Sequence, residues 1–258
     1  MTFIITVYCN EGIVMACDSR LTLSRTITNE NQFKGQQTQV LLDIVQSDAN
    51  FKIFLAPNDV GIMTCGDASI DGVPLAGYIE AFIDEEITQV FNSPIENDDI
   101  VEGLEVDQVA DSLLKYFQKM KGPPSTTFHV CGYKTDASKR VQQVWRVSVD
   151  TGEKIQVNST GDKGVLWDGE GDIMFRLLQP VYRKTDKGEF VALDNPEIAF
   201  QYFTLQDAID FAVYAVRSTV DSIRFIASRS KTVGGPIDVL VIKPREAFWV
   251  QRKTLQVR

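Results

Sequence analysis

"TFIITVYCNEGIVMACDSR", residues 2–20, decides how the rest of the chain is read. Thr2–Cys9 and Ile13–Asp18 are apolar, β-branched runs on either side of Asn10-Glu11-Gly12, which is a hairpin signal. With a three-residue loop, Cys9 pairs with Ile13 and Thr2 falls opposite Arg20, with Asp18 two residues away. At about 3.3 Å per residue that separation is within side-chain reach. Removal of Met1 would leave Thr2 with a hydroxyl and a free α-amine on one residue. In that arrangement a weak alcohol nucleophile carries its own base.

A second hairpin repeats the pattern. Lys52–Ala56 and Val60–Gly66 flank Pro57-Asn58-Asp59, so Ala56 pairs with Val60, Lys52 lies opposite Thr64, and Gly66 ends the strand beside it. Between the hairpins, 24–50 is polar and rich in Gln and Asn; it reads as an insertion, with "TQVLLDIV" as an extra strand. From Asp67 to Phe91 apolar residues recur at helical spacing, interrupted near Gly72-Val73-Pro74. A loop at Asn92–Gly103 precedes a second amphipathic helix, "VDQVADSLLKYFQKM", stopped by "KGPP". Strands return with "TTFHVCGYK", "VQQVWRVSVD" and "IQV". They lead to a Gly/Asp loop "WDGEGD", a short helix "IMFRLLQP" and a polar insertion at 183–195. The longest helix, from Thr204, carries an N-cap with Asp207 in capping-box position and a core stripe of Phe203, Phe211 and Tyr214. "IDVLVIKP" and "AFWVQRK" close the chain as strands. Segregated runs of strands and helices argue for an α+β fold in which helices cover the outer faces of two packed antiparallel sheets.

Composition narrows the function classes. The 258 residues carry no Pro/Gly/Ser-rich linker and read as one domain. With 26 Lys+Arg against 35 Asp+Glu, the formal charge of −9 argues against a nucleic-acid partner. Cys9, Cys17, Cys65 and Cys131 lie in apolar runs without metal-binding spacing, which reads as buried thiols and no metal or cofactor. "WDGEGD" has carboxylates on alternate residues, but lacks the spacing and terminal glutamate of an EF-hand loop. His129 is the only histidine, lies in a strand, and is not accompanied by G-x-S-x-G, so it reads as a core residue. No signal peptide or membrane-length apolar run is present, and the default expectation is a cytoplasmic protein with no membrane partner.

"TFIITVYCNEGIVMACDSR", "FKIFLAPNDVGIMTCGDASIDG" and "TVGGPIDVLVI" resemble the proteasome β-type peptidases of the N-terminal nucleophile hydrolases, particularly bacterial proteasome-like proteins. The resemblance runs from Thr2 to about Asp71 and from Gly132 to Ile242. It implies a four-layer αββα sandwich and a threonine-type peptidase with Thr2 as nucleophile. Asp18 and Lys52 become its charged partners, and the backbone N–H of Gly66 the oxyanion donor. Lys34 competes for the lysine role by distance from the N-terminus, but Lys52 lies in the matching strand. Its interval of 14 residues to Gly66 is the family's own. The free amine, with an ordinary pKa of about 7.7–8.0, would accept the hydroxyl proton. A positive Lys52 would hold that amine neutral and stabilise a developing alkoxide. Thr22 would pair with an extended substrate and Arg20 would seat the Asp18 corner. Peptide or unfolded-protein substrates and a homo-oligomeric ring or helical assembly are implied, with no particular ATPase partner.

Two stretches depart from the family. Gly169-Glu170-Gly171 stands where Gly-Ser-Gly is usual, so Glu170 either pairs with the amine or points elsewhere. The late Asp-x-x-Ser-Gly-Gly becomes Ser230-Lys231-Thr232-Val233-Gly234-Gly235; Val233 takes the serine position, and Ser230 or Thr232 is left to supply a hydroxyl. These departures keep two further readings open: a catalytically inactive assembly subunit, and an amidase acting on small molecules.

Overall fold

The computed structural model describes residues 2–31, 36–88, 103–193 and 197–255, with side chains undescribed over 23–46. Among the described residues the fold is α+β, built on two five-stranded antiparallel sheets. The first has the order β12 (Gly164–Gly169), β1 (Phe3–Tyr8), β2 (Ile13–Cys17), β15 (Asp238–Lys243), β16 (Glu246–Gln251). The second runs β11 (Glu153–Gln156), β10 (Lys139–Ser148), β9 (Thr126–Asp136), β6 (Val60–Gly66), β5 (Ile53–Ala56). The helices are α1 (Leu75–Phe82), extended by a π-turn over Ile83–Thr88, then α2 (Val106–Gln118), α3 (Asp172–Leu178) and α4 (Leu205–Phe225).

Three hydrophobic clusters order these elements. Ile62, Phe128 and Val130 of the second sheet pack with Ile79, Leu113 and Phe117 of α1 and α2. Phe3, Ile5 and Val7 of the first sheet pack with Met174 of α3 and Ala212 and Val216 of α4. Between them, Ile4, Met15 and Leu240 of the first sheet meet Ile53, Met63 and Cys131 of the second. Strand β1 is therefore covered on both faces, which is why it reads as an apolar run without hydrophobic/polar alternation. The four cysteines are free and buried.

The second hairpin has the anticipated register, Ala56 facing Val60, and Thr64 N donates to Lys52 O at 3.0 Å. Its turn uses left-handed Asn58 and Asp59, residue types that tolerate positive φ. The first hairpin is shifted by one: Tyr8 faces Ile13 and Ile4 faces Cys17. Asn10 Nδ2 donates to Gln201 O, and Glu11 Oε2 accepts from Leu205 N at the start of α4, drawing both residues out of the ladder. The loop closes as four residues with Cys9 N donating to Gly12 O at 3.0 Å.

Other expectations are corrected in the same way. The helix anticipated from Asp67 begins only at Leu75, because Asp71 and Gly72 take positive φ and turn a short hairpin, β7 (Ser69–Ile70) with β8 (Val73–Pro74). Trp167, Asp168 and Gly169 belong to strand β12, leaving only Glu170 and Gly171 between it and α3. Within the stretch read as an insertion over 24–50, the extra strand expected at "TQVLLDIV" is present as part of β4 (Gln36–Ser47), paired with β3 (Leu21–Asn31). The stretch read as a second insertion, at 183–195, includes a short hairpin of β13 (Tyr182–Lys184) with β14 (Phe190–Ala192). In the aromatic stripe, Phe203 and Phe211 pack on Phe200, whereas Tyr214 is 52% exposed. Lys34, and all of the loop expected over Asn92–Gly103 except Gly103, lie outside the described residues.

Candidate active site

Strand β2 ends at Cys17, and beyond it Asp18 is released from the strand's alternation. Its carboxylate is fully buried and accepts five hydrogen bonds. Oδ1 takes Thr2 Oγ1 at 2.6 Å, Lys52 Nζ at 2.7 Å and Phe3 N at 3.1 Å. Oδ2 takes Arg20 N at 3.0 Å and Gly234 N at 3.1 Å. Donors this numerous, one of them cationic, make burial of the ion tolerable. Lys52, whose side chain is 4% exposed, also donates to Thr2 Oγ1. The Thr2 hydroxyl thus sits between an ammonium donor and a carboxylate acceptor.

Thr2 and Lys52 open onto a cleft of about 360 Å³ whose lining includes Thr22, Thr64, Gly66 and Thr232. The buried hydroxyls of Thr22 and Thr64 have no hydrogen-bond partner among the described residues. Unspent polar groups at a cleft wall are available to a ligand backbone. Thr64 carries no motif by which sequence alone would single it out. Gly66 has φ +130°, and a Cβ there would lie 2.2 Å from Ser125 O, so a close backbone crossing already demands glycine.

The Arg20 guanidinium pairs with Asp48 through Nε at 2.7 Å and a second nitrogen at 2.9 Å, and reaches Lys231 O at 3.3 Å. Arg20 therefore ties the Asp18 corner to the loop carrying Thr232. Gly234 lies close beside it, where a Cβ would stand 2.6 Å from the guanidinium carbon and would displace the side chain.

Glu170 is not among the residues lining the cleft. Its Oε1 accepts from Thr232 Oγ1 at 2.7 Å and its Oε2 pairs with Arg229, which also pairs with Asp172. Its backbone N–H meanwhile donates to Thr2 O at 2.9 Å. Val233 is buried in the cluster under α4, and Ser230 lies half-buried in the loop after that helix. Of the hydroxyls in that loop, Thr232 is the one lining the cleft.

The carboxylates of "WDGEGD" do not converge. Asp168 accepts from Arg146 and His129, while Glu170 and Asp172 share Arg229. Among the described residues no group of His, Cys, Asp and Glu has the geometry of a metal site. Burial pushes the Cys65 thiol up to about 12, so it stays protonated and is no nucleophile. No helix among the described residues is long and apolar enough to cross a membrane.

What this arrangement can do chemically is polarise one hydroxyl. Its proton is drawn to a carboxylate while a cation waits for charge to develop on the oxygen. No family model matches this chain, and no curated protein matches it.

Proposed function

We propose that the chain is a threonine-type peptidase whose nucleophile is Thr2 once Met1 has been removed. The observation that carries this reading is the placement of Thr2 Oγ1 against Lys52 Nζ and Asp18 Oδ1 at the wall of the cleft. The free α-amine of Thr2 takes the Oγ1 proton, directly or through one water, as the oxygen adds to a peptide carbonyl carbon. Lys52 stabilises the developing charge on Oγ1, and the Gly66 N–H donates to the tetrahedral oxyanion. Collapse breaks the carbon–nitrogen bond, and the proton held by the amine passes to the leaving amine. Water then attacks the Thr2 ester with the same amine as base, releasing the acid and restoring the hydroxyl.

Three features support the reading. The carboxylate of Glu170, engaged by Arg229 and Thr232, is not set to raise the basicity of the amine. The unpartnered hydroxyls of Thr22 and Thr64 offer contacts to an extended substrate. Packing of α1 and α2 on one sheet, of α3 and α4 on the other, and of the two sheets on each other supports a four-layer αββα sandwich, the architecture of the N-terminal nucleophile hydrolases. With it come the proposals of a single cytoplasmic domain, peptide or unfolded-protein substrates, and a homo-oligomeric assembly sheltering the site.

Intact-mass measurement before and after treatment with a β-lactone or epoxyketone tests the proposal. The expected result is a protein lacking Met1 that gains one probe mass, with no adduct on Thr2→Ala. Met1 fully retained, or equal labelling of Thr2→Ala, overturns it.

A further inference from the structure

A second buried Asp–Lys pair lies next to the first. Asp238 opens β15 opposite Cys17, the residue before Asp18. Its carboxylate accepts from Lys253 N at 2.7 Å and from Lys253 Nζ, with the two side chains only 1% and 3% exposed. Lys253 lies two residues beyond the end of β16, where a lysine ordinarily extends into water. Its Nζ stands 4.3 Å from the ring centroid of Phe51, and Arg252 approaches the same ring at 5.3 Å. Phe51 lines the cleft and directly precedes Lys52. On either side of it the backbone is tied, Asn50 N donating to Ser19 O at 3.1 Å and Lys52 O accepting from Thr64 N at 3.0 Å.

From this geometry we infer that Lys253 is a positioning residue for Lys52, acting through Phe51, so that the segment following β16 is part of the site. The inference rests on the peptidase reading above. A lysine has four rotatable side-chain bonds, and its ammonium serves the Thr2 hydroxyl only when its strand is held to about 0.5 Å. The backbone ties hold the ends of the Asn50–Lys52 segment, and the cation over the ring holds its middle. Because Asp238 and Lys253 are neutral together, the pair adds no net charge beside Lys52. Burying such a pair does not by itself favour stability over an apolar replacement, so holding Phe51 gives it a function that stability does not.

The test compares wild type with Lys253→Met, Lys253→Gln, Lys253→Arg and the neutral double variant Asp238→Asn/Lys253→Met. Two readouts are taken: labelling by the β-lactone resolved into maximal rate and half-saturating concentration, and the ε-carbon resonance of Lys52 in protein labelled with 13C-lysine. Lys253→Gln still donates to Asp238 and serves if the methionine variant does not fold. For the neutral variants we expect the maximal rate to fall about tenfold, with half-saturation changed by less than about twofold and the Lys52 resonance displaced. Lys253→Arg, which keeps both the ion pair and the cation over the ring, restores both readouts. Unchanged rate and resonance in the folded neutral variants, or a loss in Lys253→Arg equal to that in Lys253→Met, overturns the inference. A wild type that takes no label fails the peptidase reading instead, and the Lys52 resonance then decides the positioning by itself.

Discussion

Lys52 is the residue on which the site turns, because removing its charge leaves the wholly buried Asp18 carboxylate without a cationic partner. Lys52→Met keeps the volume of the side chain but strips the carboxylate of its only cationic donor. The four remaining donors, Thr2 Oγ1 and the backbone N–H groups of Phe3, Arg20 and Gly234, keep the cost near the lower end for a broken buried pair, about 3 kcal/mol. Urea unfolding of the variant measures that loss, and labelling of Thr2 is expected to vanish with it. Glu170 shows why a residue's identity does not settle its role. Its partners Arg229 and Thr232 lie 59 and 62 positions further along the chain, and they leave its backbone N–H to hold Thr2 O.

At the scale of the elements, β12 is what seats Thr2. Phe3 faces Gly169, whose φ is +92° and whose missing Cβ would lie 1.9 Å from Thr2 O. Gly169→Ala must displace Thr2 from the Glu170 N–H, for which a loss of roughly 2–4 kcal/mol in stability is expected. Probe labelling should be lost even in the fraction that folds. Gly161→Ala is the matched control: φ is +83° there too, but nothing lies within 4 Å of the added methyl. Its cost should stop near 1 kcal/mol, with labelling intact; calorimetry and intact mass on the two variants separate strain from displacement. The two hairpins mark how far local reading reaches. Pro57-Asn58-Asp59 turns by its own left-handed residues, so its register was legible. Asn10 and Glu11 bind Gln201 and Leu205, nearly two hundred positions away, and that contact shifts the first hairpin by one residue.

At the scale of the whole molecule, a polar chain joins the two sheets through their shared core. Asp168 of β12 accepts from Arg146 of β10 at 2.8 and 2.9 Å, and lies 3.0 Å from His129 Nε2 of β9. His129 Nδ1 lies 2.9 Å from Thr6 Oγ1 of β1. An ionised Asp168 only accepts, which assigns the imidazole proton to Nε2 and leaves Nδ1 to accept from Thr6. Burial lowers the His129 pKa below its ordinary 6.5, against the opposing pull of Asp168. The unfolded chain therefore binds a proton at this residue before the folded one does. The stability of the neutral imidazole is complete above about pH 6.5 and declines as pH falls below it toward the folded value. Urea unfolding from about pH 7.5 to 5 should show that decline, and His129→Gln, which cannot titrate, should flatten it. Asp168 acts in the same sense at lower pH: burial raises its carboxyl, but the hydrogen bonds from His129 and Arg146 outweigh it and hold the group below 3.8.

The division between sequence and tertiary structure follows from the range of the forces involved. Strand and helix patterns, the capping box of Thr204 with Asp207 and the placement of Lys52 opposite Thr64 depend on neighbours a few positions apart, and the sequence by itself determined them. The loop length before Ile13, the strand character of Trp167 and Asp168, the partners of Glu170 and the burial of Lys253 were decided only by the tertiary structure. A buried charge must find a donor or a counter-charge wherever packing brings one, and no local pattern encodes which distant segment that is. Alternation along the two hairpins put Asp18 within reach of Thr2 and Lys52 opposite Thr64; the contacts that hold them, such as the N–H groups of Glu170 and Gly234, come from segments distant in sequence.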